Sequence, residues 1–376
     1  MSGITRSLEN SIAGIPKKFR RAKLVYSEKK AIRRKAPLYA DVQWTAEQTA
    51  DMNAFWKEHY GMTITPRWHK LYQSMNGVYQ KAYFPEMLYT TELEPLINPD
   101  EYCRFFNDKS IIEFLYGEAD PVRYPTTRLV RCNGTFCDGS RKLMTYDQAV
   151  ALFGDLGDCV IKPTVETGSG KGVAVLRMKN GKDEKSGKSA KEIIDEHGKD
   201  FIVQEKLKNH ERFSAIYSGS INTIRLITYL VEGDVHHVPL VMRIGVGGHE
   251  VDNIHMGGLC IGVTDEGRLK KKAYQLGYGD TAITYEKHPD TGIVFEGYFI
   301  GDIPRMIEAA KTLHRRTPHV GMISWDFTID QDENIVLIEA NCKDQSIWFP
   351  QIVNECAFFG DDTPYMLHKI AGRRKL

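Results

Sequence analysis

Apolar and polar positions divide the chain into two stretches with different grammar. Up to about residue 97 the apolar residues recur at helical spacing. Met52, Phe55, Trp56 and Tyr60 share one face of a helix that Thr45 opens, Gln48 completes as a capping box and Gly61 ends. From residue 98, short helices give way to runs of β-spacing. Asn98-Pro99 predicts one helix start, and "NDKSIIEFLYG" (107–117) predicts a second helix that stops at Gly117. "PVRYPTTRLVRC" (121–132) suits a short strand. Further strands are expected at 158–163, 172–178, 201–206, 221–231, 236–245 and 256–264, with a helix near 189–197. Residues 302–316, "DIPRMIEAAKTLHRR", read as a capped amphipathic helix ahead of Pro318. No repeat appears, and the polar tract "KNGKDEKSGKSAK" (179–191) reads as a loop. The pattern predicts an α+β fold built mostly on antiparallel sheet.

The last strand pair carries the sharpest chemical signal. In "GMISWDFTIDQDENIVLIEAN" (321–341) two β-runs flank the polar tetrapeptide Gln331–Asn334, which suits a hairpin loop. Pairing Asp330 with Ile335 sets Asp326 opposite Glu339. One face then holds Ile323, Trp325, Phe327, Ile329, Val336, Ile338 and Ala340. The other holds Ser324, Asp326, Thr328, Glu339 and Asn341, with Ile335 and Leu337 beside the loop. Two carboxylates held this close repel each other unless a cation lies between them. Two readings are open on these residues alone: a solvated outer face, or an all-oxygen site for Mg²⁺.

Composition narrows the class without naming the chemistry. A chain of 376 residues, 42% hydrophobic and 26% charged with net charge +1, predicts a globular protein of two or three subdomains. The balance gives no reason to expect nucleic acid. Seven cysteines without a C-x-x-C pair suit a reducing cytosol better than a disulfide framework or zinc site. No uncharged apolar run reaches the roughly 18 residues of a membrane span, and no signal peptide is expected, so a cytoplasmic location follows. Residues 17–35 stand apart, with ten Lys or Arg and one acid, Glu28. They suit either a solvated arm or a patch for anionic lipid or polymer, which would set the protein against the inner membrane face.

Several weaker signals accumulate between these landmarks. "DCVIKPTVETGSGKGVAVLRM" (158–178) joins two strands through Gly168, Ser169, Gly170, Lys171 and Gly172, either as a hairpin turn or as a flap over phosphate. It is neither a P-loop nor a Rossmann turn, because the spacing differs and a strand follows. Lys162, on the preceding strand, could place a point charge on phosphate. "FIVQEKL" (201–207) ends in Gln204, Glu205, Lys206 and Leu207, suitable as a hinge for a nucleobase. "SINTIRLITYL" (220–230) sets Arg225 mid-strand. "VMRIGVGGHEVDNIHMGG" (241–258) does the same with Arg243 and then adds Asp252 and Asn253. An arginine inside a strand needs an anionic partner, which is either a structural carboxylate or a ligand. Lys109, in the first turn of its expected helix, opposes the helix dipole unless an anion lies near; a solvated lysine is the other reading. No Ser-His-Asp or Cys-His arrangement appears; Cys260 and His255 read as active-site neighbours or, in preference, as core packing.

Taken in this order, "NDKSIIEFLY", "VIKPTVETGSGKGV", "IVQEKL", "SINTIRLITY", "RIGVGGHEVDNIHMGG" and "WDF…LIEAN" resemble the ATP-grasp superfamily, nearest to its sugar-transfer-associated family of polysaccharide gene clusters. The resemblance covers roughly residues 98 to 360. It implies an ATP-grasp fold, two α+β subdomains clasping ATP, behind a basic helical extension at 1–97. Residues 98–157 would form the N-terminal part of the module and 158–376 the nucleotide- and metal-binding region. It implies that Asp326, Glu339 and Asn341 hold one or two Mg²⁺ ions (or Mn²⁺), and that Lys109 and Lys162 contact the ATP phosphates. Gly168, Ser169, Gly170 and Lys171 would cover those phosphates. Gln204, Glu205, Lys206 and Leu207 would meet adenine, with Asn222, Asp252 and Asn253 also at the cofactor. Arg225, Arg243 and Lys162 would act on the transferred phosphoryl group or the acceptor carboxylate.

The implied activity is ATP-dependent joining of a carboxylate to an amine through an acyl phosphate, with release of ADP. The setting suggests a sugar acid or polysaccharide precursor and an amino acid or amino sugar. A phosphotransferase on the same nucleotide site is the first rival, although "WDFT" comes without the H-R-D loop of kinases. A non-catalytic nucleotide-binding scaffold is the second. The oligomeric state leaves no mark on the sequence.

Overall fold

The computed structural model describes residues 17–117, 122–165, 172–249, 257–276 and 282–373. The chain forms two compact units, one of residues 1–97 with 346–376 and the other of Asn98–Gln345. Residues 346–376, read from sequence as the end of the nucleotide-binding region, belong instead to the helical unit.

The first unit contains α1 (Lys17–Arg34), α2 (Ala46–Tyr60) and α3 (Arg67–Asn76), joined by the C-terminal helices Trp348–Asn354 and Thr363–Arg373. The expected start of α2 is present in full: the Thr45 side chain accepts from the Gln48 amide and the Gln48 side chain accepts from the Thr45 amide. Gly61 ends it at φ 84°, a conformation that glycine adopts without strain. Trp56, Tyr72, Tyr83 and Phe84 are fully buried and make this core largely aromatic. Gln351 ties the C-terminal segment in, accepting from the Phe84 amide at 2.8 Å and donating to the Phe84 carbonyl at 3.0 Å.

The second unit begins with two short helices, α4 (Asp100–Phe106) and α5 (Ile112–Tyr116). Its strands run β1 (Val122–Arg123), β2 (Thr127–Cys132), β3 (Thr135–Asp138), β4 (Leu143–Met144), β5 (Gly157–Pro163), β6 (Ala174–Lys179), β7 (Lys182–Asp183) and β8 (Phe201–Glu205). They continue as β9 (Thr223–Val231), β10 (Asp234–His237), β11 (Leu240–Ile244), β12 (Leu259–Val263), β13 (Leu269–Leu276), β14 (Ala282–Tyr285), β15 (Met322–Ile329) and β16 (Ile335–Asn341). Among the described residues these form two sheets, one in the order β4-β3-β2-β8-β5-β6-β7 and one in the order β1-β16-β15-β9-β11-β12-β13-β14, with β10 on β9. Every pairing is antiparallel except β1 with β16. The fold class is therefore the α+β, mostly antiparallel arrangement that the sequence predicts.

Prolines explain two departures from the expected strands. The expected strand at 121–132 splits at Pro125, where the chain passes from the edge strand β1 of one sheet to β2 of the other, and the one at 236–245 splits before Leu240 at Pro239, which cannot donate to a ladder. The large sheet packs its apolar face on the helix Ile303–Arg315, with Trp325 and Phe327 fully buried between them. Truncating Trp325 would cost about 3–5 kcal/mol, the range for large aromatic side chains in cores. Asn98 fixes the hairpin's outer end: it donates to the Met322 carbonyl at 2.7 Å and accepts from the Met322 amide at 2.9 Å.

Candidate functional site

β15 sits between β9 and β16, and this order builds the site. Asp326 lies opposite Glu339 on one side and opposite Arg225 on the other. The expected facing of the two carboxylates is present, but the register closer to the loop is not the expected one. Ile329 pairs with Ile335 and Phe327 with Leu337, so Ile338 is an extra residue bulged out of the ladder. The bulge reverses the faces beyond it: Ile335 and Leu337 join the buried core, while Val336 shares the Thr328 side. It also frees a carbonyl, and Lys162 from β5 of the other sheet donates to Ile338 O at 3.4 Å.

Four cations converge on the two carboxylates. Arg225 grips Asp326 through Nε to Oδ1 at 2.6 Å and Nη2 to Oδ2 at 2.8 Å. Arg243 Nη2 lies 3.0 Å from Asp326 Oδ2, and the same guanidinium donates to Thr223 Oγ1. Lys109 Nζ lies 3.0 Å from Glu339 Oε1. Burial alone would raise the Asp326 carboxyl, but Arg225 and Arg243 outweigh it and hold it below the ordinary value. Burial pulls the Lys162 ammonium down to about 8; the charges of Glu339 and Asp326 oppose that shift and Lys109 adds to it. Among the described residues, Lys109, Lys162, Arg225 and Arg243 bring four positive charges against the two negative ones of Asp326 and Glu339 in a largely buried cluster. A partly dehydrated cluster of this kind favours a polyanion.

Other expected residues fall around this cluster in different ways. A narrow cleft lined by Lys109, Tyr124, Thr127, Gln204, Leu337 and Ile338 brings the hinge strand to the cations. Gln204 Nε2 donates to the Pro125 carbonyl at 3.2 Å. The Glu205 carboxylate is engaged within the protein, by Arg123 Nη2 at 2.6 Å and the Thr126 amide at 2.8 Å. Lys206 and Leu207 follow the end of β8, outside its ladder. Lys109 is not in a helical first turn: it sits in the turn that Asp108 closes onto the Ser110 amide, ahead of α5. The dipole argument therefore does not apply to it, and Glu339 is its anion.

Asn222 departs from its expected place at the cofactor. It is fully buried, donating to the carbonyls of Phe213 and Tyr217 at 2.9 and 2.8 Å and accepting from the Gly245 amide at 3.3 Å. It is a clamp on the end of β9. Gly168, Ser169, Gly170, Lys171, Asp252, Asn253 and His255 lie outside the described residues. Cys260 is fully buried in β12, where burial pushes its thiol up, as core packing requires. Sequence reading passed over Thr223, which steadies Arg243, and Arg123, which holds Glu205. For Thr223 the signal was its place at the start of a strand beside Asn222; for Arg123 no sequence signal existed.

The donor chemistry at the hairpin fits a hard divalent cation. Asp326 and Glu339 offer carboxylate oxygens and Asn341, opposite Ser324, an amide oxygen. Asp326 accepts three charged N–H groups and Glu339 one ammonium, so each keeps acceptor capacity out of about four positions per carboxylate. Among the described residues no group of three His, Cys, Asp or Glu could hold a metal. An ion here would draw on Asn341 and on oxygens of a bound ligand.

Two antiparallel sheets meeting at a cation-rich cluster with paired carboxylates define an ATP-grasp protein. The model of the family described as sugar-transfer associated ATP-grasp matches residues 88–363, and the chain belongs to that family. No curated protein matches the chain. Among solved structures it is similar to the N5-carboxyaminoimidazole ribonucleotide synthetase purK in complex with ADP, at 16% identity over 64% of this chain and 46% of that one, with a TM-score of 0.35. It is also similar to the VanG D-Ala:D-Ser ligase of Enterococcus faecalis, at 15% identity over 71% and 61% with a TM-score of 0.40. A third is the ATP-grasp ligase PsnB complexed with precursor peptide PsnA2 and AMPPNP, at 13% identity over 73% and 62% with a TM-score of 0.38. The chain spans between 46% and 62% of the length of these three structures, and nothing about substrate follows from likeness at this level.

Proposed function

We propose that the chain is an ATP-dependent ligase that joins a carboxylate to an amine, with an acyl phosphate as intermediate and ADP and phosphate as products. The observation that carries this reading is the convergence, among the described residues, of four cationic side chains, Lys109, Lys162, Arg225 and Arg243, on Asp326 and Glu339. ATP and a carboxylate repel each other, and bringing them together requires a site that is itself net positive. Asp326, Glu339 and Asn341 would hold Mg²⁺, which when bound neutralises charge on the phosphates.

In the reaction a carboxylate oxygen attacks the γ-phosphorus and the bond to the β-bridging oxygen breaks, releasing ADP. The amine nitrogen then attacks the acyl carbon, phosphate leaves, and the nitrogen gives up a proton. Lys109 and Lys162 would hold phosphate oxygens. Arg225 and Arg243 would share charge between Asp326 and an incoming anion. The family's association with sugar transfer supports a sugar acid, such as a uronic acid, as the carboxylate and an amino acid or amino sugar as the amine.

Positional isotope exchange tests the first half-reaction alone. With ATP labelled at the β,γ-bridge, a uronic acid such as glucuronate should scramble label into the β-nonbridging positions without any amine. Scrambling that ignores every carboxylate offered would overturn the reading.

A second proposal concerns location. No described helix is long and apolar enough to cross a membrane. Helix α1 nevertheless turns Phe19 and Tyr26, 70% and 68% exposed, to the same side seven residues apart, with Lys23, Lys30 and Arg33 exposed around them. Aromatic rings among basic side chains suit an anionic lipid surface, so we propose peripheral contact with the inner membrane face through α1.

A further inference from the structure

The helical unit contains a cavity of about 170 Å³ whose lining includes no residue that the proposed ligase reaction uses. Its apolar walls are the rings of Trp68, Tyr72 and Trp348, and its polar walls are Glu28, Lys35 and Glu86. Trp68 and Tyr72 are buried at 5% and 0% exposure, while Glu28, Glu86 and Trp348 are half-buried. We propose that this cavity binds the head of a small organic ammonium ion, an amine or methylated amine, between the tryptophan faces and the Glu28 and Glu86 carboxylates.

Three observations point to a cation of this kind. The Lys35 ammonium already lies over the Trp348 ring, 5.6 Å from its centroid, so the cavity holds one cation of the chain's own. Its lining carries two carboxyl groups against that single ammonium, so it becomes net negative once both ionise around an entering cation. Of the Glu86 carboxylate, Oε2 accepts the Ile347 amide at 3.1 Å, which leaves Oε1 for another donor. Size then narrows the ligand. An apolar cavity of about 150 Å³ holds one benzene-sized molecule, so this one suits a choline-sized head and excludes a nucleotide or a sugar chain.

The same groups give binding a pH signature. Burial raises the Glu86 carboxyl; Glu28 and Glu94 raise it further, while the Ile347 amide and Lys35 pull it back. Burial likewise raises Glu28, against Lys35. Tyr72 faces Glu86 and stays neutral, its own hydroxyl pushed up by burial. An entering cation favours the ionised carboxylates, so binding releases protons and affinity falls as pH falls below the raised values.

The test uses the full chain, with choline as probe and 3,3-dimethylbutan-1-ol as its uncharged counterpart of the same shape. Tryptophan fluorescence and calorimetry should show saturable choline binding that is at least about tenfold tighter than the neutral alcohol. Heat of binding measured in buffers of different ionisation enthalpy should show proton release. Glu86→Gln and Trp348→Leu should each weaken choline while leaving ATP binding intact, which separates a lost site from a lost fold. Equal affinity for choline and the neutral alcohol, a comparison needing no variant, would overturn the proposal. So would the absence of saturable choline binding in the unmodified protein.

Discussion

Arg225 and Asp326 face each other across adjacent strands and close a two-point ion pair with distances of 2.6 and 2.8 Å. Asp326 is 4% exposed and its second guanidinium partner is Arg243. Removing the charge from Asp326 takes from Arg225 its two-point anion and from Arg243 one anionic contact, in a dehydrated place. Asp326→Asn should therefore lower unfolding free energy by about 3–5 kcal/mol, the range for breaking a buried pair from one side. Glu339 is more exposed and has a single lysine at ion-pair distance, so Glu339→Gln should cost less than Asp326→Asn. Both should lose turnover with a carboxylate substrate. Urea titrations of the two variants check the contrast, and equal destabilisation would contradict the unequal roles given to the pair.

Two buried histidines set an acid limit to stability. Burial holds His69 at about 4, against the Lys81 carbonyl, and holds His314 at about 4, against the Val320 carbonyl. The unfolded chain takes up these protons near 6.5 while the folded chain refuses them. Stability is thus fully present above about 6.5 and is lost as pH falls from there towards 4, by up to about 3 kcal/mol for each group. Chemical unfolding followed between pH 7 and 4 should show this slope, and His314→Gln should remove about half of it. A flat profile over that window would contradict neutral burial of both rings.

The basic helix offers a separate check. Binding of the protein to vesicles containing anionic lipid should fall when ionic strength rises, because exposed charges are screened beyond about 10 Å at 0.1 M salt. Phe19→Ser with Tyr26→Ser should weaken the salt-resistant part several-fold, since interfacial binding scales with apolar area buried in the headgroup region. If the double variant binds vesicles as the parent does and polyanions bind equally well, the helix face is a general anion patch and not a lipid contact.

How much of this was legible beforehand depends on what a residue's neighbours in sequence can show. The Thr45–Gln48 capping box, the helix at Ile303–Arg315 and the facing of Asp326 and Glu339 follow from periodicity and local hydrogen bonding, and all are present. The bulge at Ile338 was not legible, because an apolar residue on either face reads the same until a lysine from another sheet meets its carbonyl. Asn222 stands at the cofactor only through the family resemblance. Its partners, at Phe213, Tyr217 and Gly245, belong to a turn and a neighbouring strand that no spacing rule joins. The return of residues 346–376 to the helical unit depends on contacts such as Gln351 with Phe84, 267 residues apart.

The central claim is that the cation cluster serves an acyl phosphate. The most direct measurement is hydroxylamine trapping during turnover with ATP, Mg²⁺ and a panel of uronic acids, with ADP and hydroxamate followed together. Hydroxylamine should intercept the intermediate, so ADP and hydroxamate should form in equal amounts, only when a carboxylate is present, and not in Glu339→Gln. A stable phosphate ester that forms without any amine and ignores hydroxylamine would contradict the account and assign the same site to a phosphotransferase.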